Sequence, residues 1–166
     1  MILLIDTCFW SHAKDLHDGG IIDIRQELGA FRWGYSPAVQ KEIQHFKLGD
    51  FARADKAIVF PVSKEERQAL AKHSPAAASL DDADQELIIA CQREHGLILS
   101  DDGEFLMECA AMGVPAISLP VFLLRLVETR VMDKRSASRC LKYWEEQSLV
   151  KKKQLARWRK ELQGIQ

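Results

Sequence analysis

The chain has 166 residues, a length typical of one domain, and its 47% hydrophobic and 28% charged residues indicate a globular protein rather than a disordered polymer. Its apolar runs are shorter than the roughly 20 residues that a membrane span needs, and Asp6 interrupts the first of them. We therefore expect no membrane contact, no secretory signal and a cytoplasmic location. The four cysteines contain no CxxC pair, which argues against a disulfide scaffold or a zinc ribbon.

Short apolar runs alternate with amphipathic stretches, which predicts strands alternating with helices. In the first half of the chain we predict strands at residues 2–5, 31–35 and 58–60 and helices at residues 7–17, 21–28, 49–57 and 64–73. Ser36 and Pro37 predict one more helix, because a serine N-cap followed by proline is a common helix start.

The second half of the chain continues this alternation. We predict a loop at residues 75–79, strands at residues 97–99 and 115–119, helices at residues 83–95, 103–112 and 120–127, and one long basic helix after them. Gly96 is expected to end the helix at residues 83–95. The pattern predicts an α/β fold, a three-layer α/β/α sandwich around a mostly parallel central sheet.

Charge is divided unevenly between two parts of the chain. Residues 132–166 contain ten basic and four acidic residues, a net charge of +6, and residues 1–131 carry −7. We therefore expect a domain of residues 1–131 and a basic helical extension of residues 132–166 packed on it through Leu155, Trp158 and Leu162. The extension either contacts a polyanion or is a solvated helix that keeps the protein in solution.

Acidic residues follow two of the predicted strands directly. Asp6 ends the first strand, and Asp101 and Asp102 follow the strand at residues 97–99. In open parallel sheets, ligands bind beyond the carboxyl ends of the strands. These side chains are therefore expected to face one edge of the sheet.

Two further acids are expected at the same edge. Asp84 lies near the start of a predicted helix, and Glu42 lies on a helix that follows a strand. Converging carboxylates repel one another unless cations neutralise them. Because neither His nor Cys accompanies these acids, the pattern predicts Mg²⁺ or Mn²⁺ rather than zinc, and hence phosphoryl-transfer chemistry with metal-activated water.

Four motifs occur in a fixed order within residues 1–131. They are LIDT at residues 4–7, SPAVQKEI at residues 36–43, LDDADQELIIA at residues 80–90 and GLILSDD at residues 96–102. Together they resemble the PIN domain, a metal-dependent nuclease fold of toxin–antitoxin ribonucleases and RNA-processing enzymes. The resemblance does not extend to the basic extension.

The resemblance implies a set of site residues. Asp6, Glu42, Asp84 and Asp102 match the acidic positions that hold the metal in this family. Asp101 precedes Asp102 where many relatives have a non-acidic residue, which leaves open which of the two is the ligand. Two hydroxyl groups, those of Thr7 and Ser100, are expected to orient metal-bound water.

The implied function is endonucleolytic hydrolysis of single-stranded RNA with Mg²⁺ or Mn²⁺. Basic residues are expected to hold the phosphate backbone, namely Arg32, Lys41, Lys151, Lys152 and Lys153. The implied partners besides RNA are a protein inhibitor or antitoxin and a second copy of the chain in a homodimer. The alternative function is a catalytically silent PIN-like module that binds RNA or protein without cutting it.

Several of these residues have a competing structural interpretation. Asp6 can serve only as a helix cap, and Asp81 and Asp82 compete with Asp84 for the N-cap of the next helix. The four tryptophans are expected in the core, with Trp158 in the basic extension the one exception that merits a test for base stacking.

Overall fold

A computed structural model describes residues 1–53 and 55–165 of the chain. The strands are β1 (Ile2–Ile5), β2 (Arg32–Tyr35), β3 (Ile58–Val59), β4 (Leu97–Leu99) and β5 (Ala116–Ile117). The described residues place all five in one parallel sheet in the order β3-β2-β1-β4-β5. The predicted α/β sandwich is therefore confirmed, and the sheet is parallel throughout.

Helices fill the connections between the strands. They are α1 (Thr7–Asp18), α2 (Ile24–Leu28), α3 (Pro37–His45), α4 (Lys64–His73), α5 (Pro75–Ala78), α6 (Asp82–Glu94), α7 (Gly103–Ala111), α8 (Leu119–Glu128), α9 (Lys134–Glu146) and α10 (Lys152–Gly164). None of the helices in the described part of the chain is both long and apolar enough to cross a bilayer.

Strand β1 lies at the centre of the sheet and of the core. Leu3, Leu4 and Ile5 are completely buried, as a strand covered on both faces should be. The chain passes from β1 to β2 and β3 on one side and then returns to place β4 and β5 on the other. The point where the order reverses therefore lies beside the carboxyl end of β1, where open α/β sheets bind ligands.

Glycine is required at one position in the sheet. A Cβ atom on Gly34 in β2 would clash with the backbone carbonyl of Ile58 in the neighbouring strand. The close approach of β2 and β3 therefore depends on the missing side chain.

Two predictions for the middle of the chain are wrong. No helix forms over the described part of residues 49–57, because these residues are turns and Arg53 has a left-handed φ of 48°; Ala54 lies outside the described residues. Residues 75–79 are not wholly a loop, since Ser74 accepts a hydrogen bond from the Ala77 amide and Pro75 starts the short helix α5.

Helix α6 ends differently from the prediction. His95 and not Gly96 takes the left-handed conformation at its end, with φ 50°. A Cβ atom on Gly96 would lie 3.1 Å from the Ile2 carbonyl oxygen. Glycine at this position therefore fits the close passage of the chain past β1 and not the helix cap.

The extension contains two helices where the sequence predicts one. Ser148, with φ 55°, separates α9 from α10. Both helices pack on each other and on α8. Leu155 and Leu162 are buried and Trp158 is half-buried on the docked face of α10; Gln166, the last residue of the extension, lies outside the described residues.

Candidate metal and nucleic-acid site

An acidic cavity of about 270 Å³ opens at the carboxyl ends of β1 and β4. Asp6, Glu42, Asp84 and Asp102 all line it, although they come from four separate stretches of the chain. The sheet order explains this meeting, because β1 and β4 are neighbours and the Asp6 amide donates to the Leu99 carbonyl at 3.0 Å. We call this space the acidic cavity.

Asp6 is the most firmly held of the four acids. Its Oδ1 accepts from the Thr7 amide at 2.6 Å, and its Oδ2 accepts from the Ser100 hydroxyl and the Cys8 thiol, both at 2.7 Å. The side chain also caps α1. Burial raises the pKa of Asp6, the Asp102 charge adds to that rise, and the three hydrogen bonds oppose it.

Glu42 reaches the cavity from the middle of α3. Its Oε2 accepts from the Thr7 hydroxyl at 2.6 Å. Burial raises the pKa of Glu42, and the charges of Asp6 and Asp81 raise it further. Thr7 is thereby placed between two acids, with its amide on Asp6 and its hydroxyl on Glu42.

The start of α3 is fixed by two groups. The Ser36 hydroxyl accepts from the Val39 amide at 3.2 Å. The buried Glu86 carboxylate accepts from the Ala38 amide at 2.9 Å. This double cap sets the position of the helix and hence of Glu42.

Asp84 differs from the other acids in having no hydrogen bond to its carboxylate among the described residues. The N-cap of α6 is Asp81, whose Oδ1 accepts from the Asp84 amide at 2.9 Å. The Asp84 side chain is thus left for the cavity. Burial, followed by the charges of the neighbouring acids, raises the pKa of Asp84 to about 8. A proton or a cation at the Asp84 carboxylate relieves the repulsion between its negative charge and those of the neighbouring acids.

Asp101 and Asp102 point to different places. Asp102 caps α7, accepting from the Glu104 amide at 2.8 Å, and lines the acidic cavity. Asp101 lies 2.7 Å from His12 Nδ1 and accepts from the Leu119 amide at 2.8 Å, outside the lining of the acidic cavity. The geometry therefore brings Asp102, and not Asp101, together with the other acids.

Ser100 connects the two strand ends. Its buried hydroxyl donates to Asp6 and accepts from the Asp102 amide at 3.1 Å. Thr7 and Ser100 therefore contact Asp6, Glu42 and the Asp102 amide, and their role in orienting metal-bound water stays a prediction.

The five basic residues expected from the sequence to hold the phosphate backbone do not line the acidic cavity. Arg32 is exposed at the amino end of β2, the end of the sheet opposite to the acids. Lys41 is exposed on α3 and does not line the acidic cavity. Three lysines, Lys151, Lys152 and Lys153, lie at the start of α10 and are exposed.

Sequence reasoning missed several residues of the cavity wall, among them Cys8, Phe46 and Ser11, and it treated Asp81 only as a helix cap. Cys8 contacts both Asp6 and Ser100, with its Sγ 3.2 Å from the Ser100 hydroxyl. Phe46, 61% exposed, lines the cavity at the end of α3. Its spacing of four residues from Glu42 places both on one helix face and is the signal that would have found it. Ser11 is the third such residue, one turn after Thr7 on α1.

The donor set fits a hard divalent cation. All four acids offer carboxylate oxygens, the ligands preferred by Mg²⁺ and Mn²⁺, and Asp84 has no other partner in the described structure. The side chains are not gathered tightly, since no three His, Cys, Asp or Glu residues among residues 1–53 and 55–165 lie close enough to form a metal-binding group. Like charges oppose such an approach, so the acids share a cavity without a closed coordination sphere.

Comparison with known protein families and with curated proteins finds no match to the chain. A function for the chain therefore has to be inferred from the four motifs and from the acidic cavity.

Proposed function

We propose that the chain is a metal-dependent endoribonuclease that hydrolyses phosphodiester bonds of single-stranded RNA at the acidic cavity. The carrying observation is the Asp84 carboxylate, which shares the cavity with four other acids at the sheet's switch point and has no hydrogen-bond partner in the described structure. A structural cap needs one acid, and this cavity is lined by five, the four proposed ligands and the helix cap Asp81. The same activity is implied by the resemblance to PIN domains.

In this proposal Asp6, Glu42, Asp84 and Asp102 hold Mg²⁺ or Mn²⁺. The bound ion would lower the pKa of a water molecule and neutralise charge that develops on the phosphate. Thr7 holds the Glu42 carboxylate through its hydroxyl, and Ser100 holds Asp6. These hydrogen bonds restrict the rotation of two ligands, which lowers the entropy that the chain must lose when the site closes.

The four free cysteines are consistent with a reducing compartment, and we propose the cytoplasm. Cys91 and Cys109 are buried, and burial raises the pKa of the Cys91 thiol to about 11 and that of Cys109 to about 12. These two thiols are poorly reactive at neutral pH, and burial together with the Asp6 charge also raises the pKa of the Cys8 thiol in the acidic cavity.

The test is cleavage of a labelled single-stranded RNA during a Mn²⁺ titration, with the matching DNA strand in parallel. Asp6→Asn and Asp84→Asn should each lower the rate by about 100-fold or more, since each removes a ligand charge. Asp82→Asn is the matched control, because Asp82 is an exposed acid on the same helix that pairs with Arg67 outside the cavity.

Equal rates in all four proteins, or cleavage that does not depend on metal, would reject the proposal. Binding of RNA by the wild-type protein without cleavage at any Mn²⁺ concentration would favour the silent binding module.

A further inference from the structure

A second cavity, of about 300 Å³, lies between the sandwich and the extension. It is formed by α1, the start of α7, the start of α8, the helices α9 and α10 and the turn between those two helices. Its wall includes His12, Leu106, Leu149, Gln154 and Trp158. We call this space the extension cavity.

The extension cavity adjoins the acidic cavity through consecutive residues. On α1, Ser11 lines the acidic cavity and His12 lines the extension cavity. After β4, Asp102 lines the acidic cavity, whereas Asp101 and Gly103 on either side line the extension cavity. A flexible nucleic-acid strand bound in one cavity would therefore need only a short length to reach the other cavity.

The extension cavity has an aromatic and apolar wall. Trp158 is half-buried and packs against the buried Trp144 with ring centroids 6.4 Å apart. Leu149 is 56% exposed although it belongs to this wall. A planar ring entering here would contact a wall that contains two tryptophans packed against each other, Trp158 and Trp144.

Polar groups that line the extension cavity could form hydrogen bonds with the donors and acceptors of a nucleobase. The amide of Gln154 and the carboxylate of Asp15 both line the cavity and offer donors and acceptors. The Asp101 carboxylate is hydrogen-bonded to His12 and to the Leu119 amide, so its oxygens already have partners. His12 has a raised pKa, chiefly because of its hydrogen bond to Asp101.

Three lysines flank this cavity. Val150 and Gln154 both line it, and Lys151, Lys152 and Lys153 stand between them in the chain. Within the described residues their ammonium groups form no hydrogen bond or ion pair. Glu145, the acid that interacts with Lys152 electrostatically, is already held by Arg159 at 2.6 and 3.0 Å. These cations are therefore available to a phosphate backbone.

We propose that the extension cavity binds a nucleobase of the RNA strand, next to the phosphate that is cut in the acidic cavity, while Lys151, Lys152 and Lys153 contact the backbone. The inference depends on the proposed function. A nucleotide combines the planar apolar surface, the polar edge and the anionic charge that this wall and its flanking lysines complement. An apolar peptide would use the wall but not the lysines. The bases of a duplex are stacked, so the site selects single strands.

The first test is RNA binding by the full chain carrying Asp84→Asn, which prevents cleavage. A fluorescent single-stranded RNA is titrated and its anisotropy followed. Adding Trp158→Ala should raise the dissociation constant about 5- to 150-fold, the range of one lost base stack, and Trp158→Phe should recover most of the affinity. Replacing all three lysines by alanine should lower the slope of log affinity against log salt by about 2, whereas Trp158→Ala should leave that slope unchanged.

The matched control for the lysines is Lys64→Ala with Lys72→Ala, on α4, which lines neither cavity. These changes should leave the affinity within about twofold. Affinity that Trp158→Ala does not alter, or that the α4 lysines alter as much as the α10 lysines, would overturn the inference.

A second test needs no substitution in the extension cavity and so does not depend on the folding of Trp158→Ala. A single-stranded RNA with 4-thiouridine at successive positions is crosslinked by light to the Asp84→Asn chain, and the modified peptide is identified by mass spectrometry. Crosslinks in α10 or at His12 support the inference. Crosslinks confined to other surfaces, or no RNA binding at all, overturn it.

Failure of the inference and failure of the proposed function give different results. If the wild-type protein cleaves RNA with Mn²⁺ but crosslinks elsewhere, the extension cavity alone is wrongly assigned. If it crosslinks through the extension cavity but never cleaves, the nuclease function is wrong and the base-binding site stands.

Discussion

The two hydroxyl residues beside the acids act through other side chains. Thr7 joins the Asp6 and Glu42 sites, and Ser100 joins Asp6 to the Asp102 amide. Neither needs to contact substrate to affect the site. In the proposed function Thr7 and Ser100 would be positioning residues, and their removal should alter metal affinity before anything else.

Thr7→Val tests this role because valine has almost the same shape without the hydroxyl. We expect Mn²⁺ affinity to fall about 10- to 100-fold, since the Glu42 carboxylate loses the donor that orients it. Mn²⁺ binding is followed by the electron paramagnetic resonance signal of the free ion. Thr7→Ser should keep most of the affinity, and an unchanged affinity in Thr7→Val would show that the hydroxyl plays no part.

Asp23 provides a test of pH dependence away from the site. It caps α2, and Arg25 donates to it at 2.6 Å, which holds the pKa of Asp23 below its ordinary value of 3.8. Its stabilisation is therefore complete above that ordinary value and is lost as the pH falls through the lowered value.

Asp23→Ala should lower the free energy of unfolding by about 1 kcal/mol at neutral pH, the usual value of an N-cap. Urea denaturation at several pH values measures it. The difference between variant and wild type should shrink in strong acid. A difference that stays constant down to pH values well below 3.8 would contradict the assigned pKa direction.

The site acids can be predicted because each follows a recognisable signal. Asp6 and Asp102 follow apolar strands, and Asp84 precedes an apolar helix face. The separation of Asp101 from Asp102 cannot be predicted, since it depends on where His12 and the Leu119 amide lie in the folded chain. Cys8 likewise has no local signal, because its contact to Ser100 joins residues far apart in sequence.

At the level of elements, the close pairing of β2 with β3 leaves no room for a side chain at Gly34. Gly34→Ala should destabilise the protein by about 3 kcal/mol, because the new methyl group meets the Ile58 carbonyl and cannot be accommodated without moving a strand. Thermal denaturation measures the loss. Gly49→Ala is the control, since a Cβ atom there meets nothing within 4 Å. Equal stability of the two variants would contradict the described pairing.

The strands and long helices are predictable because apolar runs and capping residues are local. Ser36 with Pro37 predicts the start of α3, and Leu97–Leu99 is predicted to the residue. The failures at residues 49–57 and between α9 and α10 have a common cause. Arg53 and Ser148 both adopt left-handed conformations that neither residue type favours intrinsically, so only tertiary context sets them.

At the scale of the whole molecule, an acidic site on the sandwich lies beside a basic, aromatic surface on the extension. The net charges of −7 and +6 for residues 1–131 and 132–166 are visible in the sequence. The cavity that Trp158 and His12 share is not visible in the sequence, because nothing local fixes how α9 and α10 pack on each other and on α8.

Metal binding should stabilise the whole fold. A ligand at 100 times its dissociation constant adds about 2.7 kcal/mol to the free energy of unfolding. Differential scanning fluorimetry should therefore show the melting temperature of the wild-type protein rising with Mn²⁺. Asp6→Asn should show a much smaller rise, and an equal rise in both proteins would place the ion elsewhere.

The most direct test of the central claim, that four carboxylates from distant parts of the chain bind one kind of divalent ion together, is isothermal titration calorimetry with Mn²⁺. Wild type and Asp82→Asn should bind with the same affinity, and Asp84→Asn should bind at least about tenfold more weakly. Equal binding by all three proteins, or no binding by wild type, would contradict this claim.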